Sequence, residues 1–253
     1  MDTILITGGN GAMAKRLVKH FADQFSFVLL DIHGTASSEL ASYRVTYFQC
    51  NICNLDELDR VQETISARDT KLVAIVNNAA VDFVPARNAS YKNEYSSEEA
   101  LNVLNVNVVG AMNVIEKFKA LLIRSKGSVI NVSSVYSKVP ADQRIYSELI
   151  GEDGTQFKKP IYYGLSKAAL NYITKFYVNE LSSCGVRVNT LIFGGVESNQ
   201  PDSFKDRYVS KVPLGRMSSW GDVLNAFQFL LSNDSSYVNG IELTIDGGLL
   251  CKC

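Results

Sequence analysis

Tyr163 and Lys167 pair a weak acid with a cation four residues later. The surrounding run 161–170 (IYYGLSKAAL) has helical apolar spacing, so the two side chains share one face about 6 Å apart along the axis. A free phenol has a pKa of about 10 and stays protonated at neutral pH, and a neighbouring positive charge favours its ionised form. Such a pair can pass a proton to or from a substrate oxygen. Tyr162 competes for the role, but five residues of helix turn it roughly 140° away from Lys167. The spacing therefore selects Tyr163.

A second chemistry-bearing run opens the chain. Residues 3–7 (TILIT) read as a short buried strand, 8–11 (GGNG) as a turn, and 12–21 as an amphipathic helix. In that order glycines let the backbone approach a pyrophosphate, whose charge is received by free amides and the positive helix end. Ala14 stands where a third glycine is usual. A second apolar strand, 25–31, ends in Asp31, about 20 residues beyond the glycines, a spacing that suits an acid gripping the adenosine ribose hydroxyls.

The elements that must position these groups alternate along the whole chain. Further strands are expected at 45–50, 72–77, 128–133, 186–192 and 241–245, and helices at 55–67, 97–123, 162–181 and 220–231. Alternation of this kind requires crossovers and gives an α/β fold, a doubly wound parallel sheet covered by helices on both sides in three αβα layers. Irregular stretches at 80–96, 138–159 and 196–218 all follow strands, so they are expected to surround one site outside the strands' carboxyl ends. The length of 253 residues, 46% of them hydrophobic and 20% charged, fits one domain spanning 1–253.

Composition excludes several function classes. A net charge of −1 gives no field for nucleic acid or anionic membrane. No apolar run is long enough to span a bilayer, and the first strand begins almost at Met1, so the expectation is a cytoplasmic protein without a signal peptide. Cys50 and Cys53 have C-x-x-C spacing, and Cys251 and Cys253 lie close together. With only His20 and His33 to support them no metal site is expected, and the thiols are read as reduced.

Taken together these residues resemble the short-chain dehydrogenase/reductases, in their compact single-domain branch. Residues 7–14 (TGGNGAMA) look like the family's cofactor loop, 77–80 (NNAA) like its N-N-A-G motif, Asn107 like its active-site asparagine, Ser134 like its serine, and Tyr163 with Lys167 like its catalytic pair. Residues 187–189 (RVN), 193–198 (FGGVES), 237–240 (YVNG) and 246–248 (DGG) continue the likeness nearly to residue 253. Ala14 and Ala80 replace glycines, Phe193 replaces a proline, and Asn51 stands where an aspartate is usual. The loop spacing fits the extended, sugar-nucleotide-modifying branch slightly better, but 253 residues leave no room for that branch's added region.

The resemblance implies a Rossmann fold and a nicotinamide cofactor held along Gly8, Asn10, Gly11, Ala12 and Met13, by Asp31, by Asn51 and Ile52, and by Asn78, Ala79 and Ala80. Tyr163 and Lys167 would hold the ribose, and Gly194, Val196 and Ser198 the carboxamide. It makes Tyr163 the proton exchanger, Lys167 the group that lowers its pKa, and Ser134 the donor to the substrate oxygen; Ser133, on the other side of the pleat, faces the core. Asn107 would support a helix bend and a water linked to Lys167.

The expected function is an oxidoreductase that interconverts a secondary alcohol and a carbonyl of a small molecule. NAD is favoured over NADP because Asp31 would repel a 2′-phosphate. Three alternatives stay open: transient oxidation serving epimerisation or dehydration of a sugar nucleotide, a non-catalytic cofactor sensor, and a structural oligomer. The resemblance also implies a homo-oligomer, a tetramer before a dimer, built on the helix carrying Leu165, Ala169, Tyr172, Ile173 and Phe176. Residues 139–160 form a longer insertion than is usual and are read as a lid over a polar, sugar-like or anionic substrate, with Arg144, Lys158 and Lys159 available to negative charge. Residues 196–218 are read as the substrate loop. In this half the chain looks most like bacterial members associated with flagellin or surface-glycan modification.

Overall fold

A computed structural model describes residues 1–68, 70–82 and 95–252. Most of the irregular stretch expected at 80–96, and Cys253, lie outside those residues. β1 (Thr3–Thr7), β2 (Ser26–Asp31), β3 (Val45–Gln49), β4 (Leu72–Asn77), β5 (Ser128–Ser134), β6 (Arg187–Phe193) and β7 (Glu242–Ile245) form one sheet among the described residues. All of its pairings are parallel, in the order β3-β2-β1-β4-β5-β6-β7. The central strands are buried on both faces, which is why they read as continuous apolar runs.

Helices cover both faces. α2 (Leu55–Ala67), α4 (Ala111–Ser125) and α5 (Ile161–Leu181) close one apolar layer around Leu58, Phe118 and Tyr177; α1 (Ala12–Phe21) and α7 (Trp220–Leu231) close the other around Leu17, Phe21 and Phe227. Ala14 is wholly buried in that second layer with Ile4 and Leu29, so the missing glycine costs no fit. Phe193 packs against Phe227 with ring centroids 5.9 Å apart and pairs with Ile245, so β6 runs one residue further than expected.

The helix expected at 97–123 is broken. α3 (Ser97–Leu104) and α4 are joined by a π-helical turn at Asn105–Gly110, where the wider winding pushes Asn107 inward. A Cβ on Gly110 would lie 2.7 Å from Ile52, so this turn presses directly on the strand-end residues below it. Two stretches expected to be irregular carry structure. The loop 196–218 contains α6 (Asp202–Val209), and the insertion contains a helical turn at Gln143–Tyr146 and an antiparallel bridge between Ile150 and Gln156. Ile145, Tyr146 and Phe157 are buried with Tyr208, Val212, Met217 and Leu249 in a third apolar cluster. The insertion is thus docked on α6 through its own small core.

The strand order reverses between β1 and β4, and ligands of doubly wound sheets sit outside the carboxyl ends at such a point. Thr7, Asp31, Asn77 and Ser134 end their strands there.

Candidate active site

The β1–α1 turn builds a cradle from backbone. Gly8 has a φ of +71°, and a Cβ on it would stand 3.0 Å from the Ala79 Cα; a Cβ on Gly9 would stand 2.7 Å from that of Leu29. Both amides donate to the Leu30 carbonyl, at 2.8 and 3.0 Å, which pulls the turn onto β2. Gly11 caps α1 without a side chain, so the positive helix end opens onto the cleft. Gly8, Asn10, Gly11, Ala12 and Met13 share this cleft with Asp31, Asn51, Ile52 and residues 78–80, around a volume of about 660 Å³. A glycine cradle, an open helix end and an acid on the next strand fit a dinucleotide.

Asp31 is nearly buried. Its carboxylate accepts from the Asn10 amide at 2.8 Å and the His33 amide at 3.1 Å, and the His33 ring nitrogen lies 2.6 Å away. Burial raises its pKa, but these contacts outweigh burial and hold the carboxyl below its ordinary range. The Asn10 side chain turns away from the cleft, donating to Thr35 and Tyr47 and accepting from Ser37. Asn51 is exposed, with its side chain accepting from the Cys53 amide. Burial pushes the Cys50 thiol up to about 11 and raises that of Cys53, which keeps both unreactive at neutral pH.

Thr7 ties the two strand ends together. Its hydroxyl accepts from the amides of Asn78, at 3.0 Å, and Ala79, at 2.9 Å, while the Asn78 side chain donates to the Thr7 carbonyl at 2.8 Å. This brace has no signature in the sequence, because a threonine closing a strand is an ordinary β residue.

Across the crevice, Ser134 stands beside the Tyr163 phenol, and Ser133 faces inward to donate to the Lys167 carbonyl at 3.0 Å. Gly164 lets α5 approach this close, since a Cβ there would stand 2.7 Å from the Tyr136 carbonyl oxygen. Tyr162 points the other way and donates to Glu99 at 2.5 Å, as its place on the helix requires. Lys167 is buried, donates to the Val132 carbonyl at 2.9 Å and lies 5.8 Å from the Tyr163 ring centroid. Asn107 accepts from the Val81 amide at 2.7 Å and donates to the Val81 carbonyl at 3.1 Å and the Ser166 hydroxyl at 3.0 Å. It therefore fixes the chain after β4 against α5.

The electrostatics correct one expectation. Lys167 was expected to lower the phenol, yet burial first, and the Asp82 carboxylate second, push Tyr163 above its ordinary value while the bond to Ser134 pulls it back. Burial also draws Lys167 down to about 8, with Asp82 opposing this and Lys159 adding to it. In this arrangement burial keeps the phenol protonated across the neutral range.

The residues after β6 are held by bonds to their own neighbours. Gly194 donates to the Ile245 carbonyl at 3.0 Å, Val196 bridges to Ser218, and the Ser198 amide donates to Gln200 at 2.7 Å. The insertion's cations are paired: Arg144 with Asp142 at 2.7 Å, and Lys159 with Asp82. Asp82 and Tyr136 carry no motif that the sequence could show; the Tyr136 ring lies beside Tyr163, and its hydroxyl is 2.8 Å from that of Tyr146 in the insertion.

A family model described as enoyl-(acyl carrier protein) reductase, of the short-chain alcohol dehydrogenase type, matches residues 10–250. The chain is 28% identical to a 3-oxoacyl-[acyl-carrier-protein] reductase FabG of Thermotoga maritima, over 97% of this chain and 96% of that one. It is also 28% identical to a diacetyl reductase of Staphylococcus epidermidis, over 99% of both. A short-chain dehydrogenase from Leptospira borgpetersenii, solved with bound NAD+, superposes with a TM-score of 0.85 at 29% identity, covering 98% of this chain and 92% of that one. With a glycine cradle at the sheet's reversal point and a serine, tyrosine and lysine across from it, this chain belongs to the short-chain dehydrogenase/reductase family.

Proposed function

We propose that the protein is a nicotinamide-dependent oxidoreductase that interconverts a secondary alcohol and a carbonyl on a small polar molecule. The observation that carries this reading is the placement of Ser134 beside the Tyr163 phenol at the open end of β5, with Lys167 buried alongside. The cleft from Gly8 to the 78–80 segment would hold the dinucleotide, whose nicotinamide would supply or take up the hydride. Ser134 donates to the substrate oxygen, where negative charge develops as that oxygen is deprotonated or reduced. Tyr163 exchanges the hydroxyl proton with that oxygen. Lys167 orients the phenol and binds ribose hydroxyls, and Asn107 keeps both in register by anchoring Val81 and Ser166. Gly194, Val196 and Ser198 meet the carboxamide end, and Asn51 and Ile52 the adenine end.

A polar substrate is supported by the groups around Tyr163: Tyr136, Lys159 and Asp82 carry hydrogen-bonding atoms. The length of the 139–160 insertion, which adds a wall beside Tyr163, favours a sugar-like compound. The relatives' carbonyl substrates make diacetyl a rational first probe beside a panel of ketoses and sugar derivatives. Following consumption of reduced cofactor over such a panel tests the reading. Tyr163→Phe removes the exchangeable proton and keeps the ring, so turnover should fall roughly 10²- to 10⁴-fold with cofactor affinity nearly intact. Undiminished turnover in that variant would refute the assignment.

A further inference from the structure

The ammonium nearest the Tyr163 ring is not the one four residues along the helix. Lys159, from the last residues of the insertion, places its Nζ 4.4 Å from the ring centroid, against 5.8 Å for Lys167. Its side chain is only 8% exposed and forms an ion pair with Asp82, on the segment after β4. That segment is itself fixed, because Asn107 bonds both the amide and the carbonyl of Val81. Two opposite charges thus converge on one phenol ring from two elements, neither of which carries the tyrosine. A buried ammonium is unfavourable unless paired, and a cation over a ring face interacts with the ring's electrons.

We propose that Lys159 and Asp82 are positioning residues that set the ionisation of Tyr163, the ammonium favouring the phenolate from the ring face and the carboxylate opposing it. The inference rests on the reading of Tyr163 as the proton exchanger. Burial pulls Lys159 below its ordinary value, and Asp82 opposes that shift. The other groups facing the phenol are Lys167 on its own helix, Ser134 at the end of β5, Tyr136 with ring centroids 6.5 Å apart, and Tyr146 behind Tyr136. Among these described neighbours, Lys159 and Asp82 form the oppositely charged couple that can be altered without touching the serine, tyrosine or Lys167. A unit charge about 5 Å from a phenol at an effective dielectric of about 20 shifts its titration by on the order of one to two pH units.

Site-specific replacement of Tyr163 by a fluorinated tyrosine lowers the phenol's intrinsic pKa below those of the lysines, and fluorine NMR then reads the titration without any substrate. Asp82→Asn should lower the midpoint by about one pH unit or more, Lys159→Met should raise it by a similar amount, and Lys159→Arg should restore it. The double variant Asp82→Asn with Lys159→Met should fall between the single ones. A packing role alone would move both single variants the same way or neither, and shifts below about 0.3 unit, or of one sign, overturn the proposal. Should Lys159→Met fail to fold, Asp82→Asn decides by itself, because Asp82 is the more exposed partner. Activity in Tyr163→Phe is a separate measurement: retained turnover would sink the catalytic reading while leaving the titration result standing.

Discussion

Lys167 is a charge held where charge is unfavourable. Its ammonium titrates near 8 in the folded chain and near 10.4 when exposed, so between those values the unfolded chain binds more protons. Stability therefore rises with pH through that window, and below about 8 the fold bears the full cost, on the order of 3 kcal/mol. Lys167→Met should lose turnover yet gain roughly that much stability at pH 7, with the gain vanishing as pH approaches 10; urea unfolding at both pH values checks it. A second expectation belongs to Asp31. Its carboxylate lines the cleft and no lysine or arginine lies in 8–11, so NADH is expected to bind at least about tenfold more tightly than NADPH. Fluorescence titration of both cofactors decides, and equal affinity would refute it.

At the level of elements, the brace between β1 and the segment after β4 hangs on one hydroxyl. Thr7→Val keeps the shape but leaves the Asn78 and Ala79 amides without their acceptor, which should cost about 2–4 kcal/mol and weaken cofactor binding; Thr7→Ser should rescue both. A melting curve and a cofactor titration give the two readouts. This brace was invisible in the sequence, whereas the strand, glycine turn and helix it serves were legible from periodicity and φ-permissive residues. The same contrast holds elsewhere. Tyr163 was separable from Tyr162 by helical geometry alone, but the break at Asn105–Gly110 was not, since a π turn changes the hydrogen-bonding register without changing the apolar pattern. The insertion's small core was missed because Ile145, Tyr146 and Phe157 have no regular spacing, and their partners lie some fifty residues and more further on. Replacing 142–158 by a short turn would therefore strip Tyr208 and Met217 as well as remove a wall.

For the molecule as a whole, α5 presents Leu165, Tyr172 and Phe176, each more than half exposed, on the side away from the sheet, while Ile173 is buried against it. Self-association would cover such a face. Light scattering at micromolar concentration should give a multiple of 27.9 kDa, and Leu165→Lys with Phe176→Asp should reduce it to the monomer; a monomeric parent protein would remove the idea. Among the described residues no helix is long and apolar enough to cross a membrane.

The third apolar cluster also sets an order of events during synthesis. β1 and the cofactor turn are made first and lie mid-sheet, but Tyr146 and Phe157 of the insertion need Tyr208 and Leu249 to complete their packing. A ribosome that has translated everything through α5 has thus produced the serine, tyrosine and lysine without the contacts that hold the insertion above them. The nascent chain can close the turn between β1 and α1 early, but the insertion's small core only after residue 249 has left the ribosome.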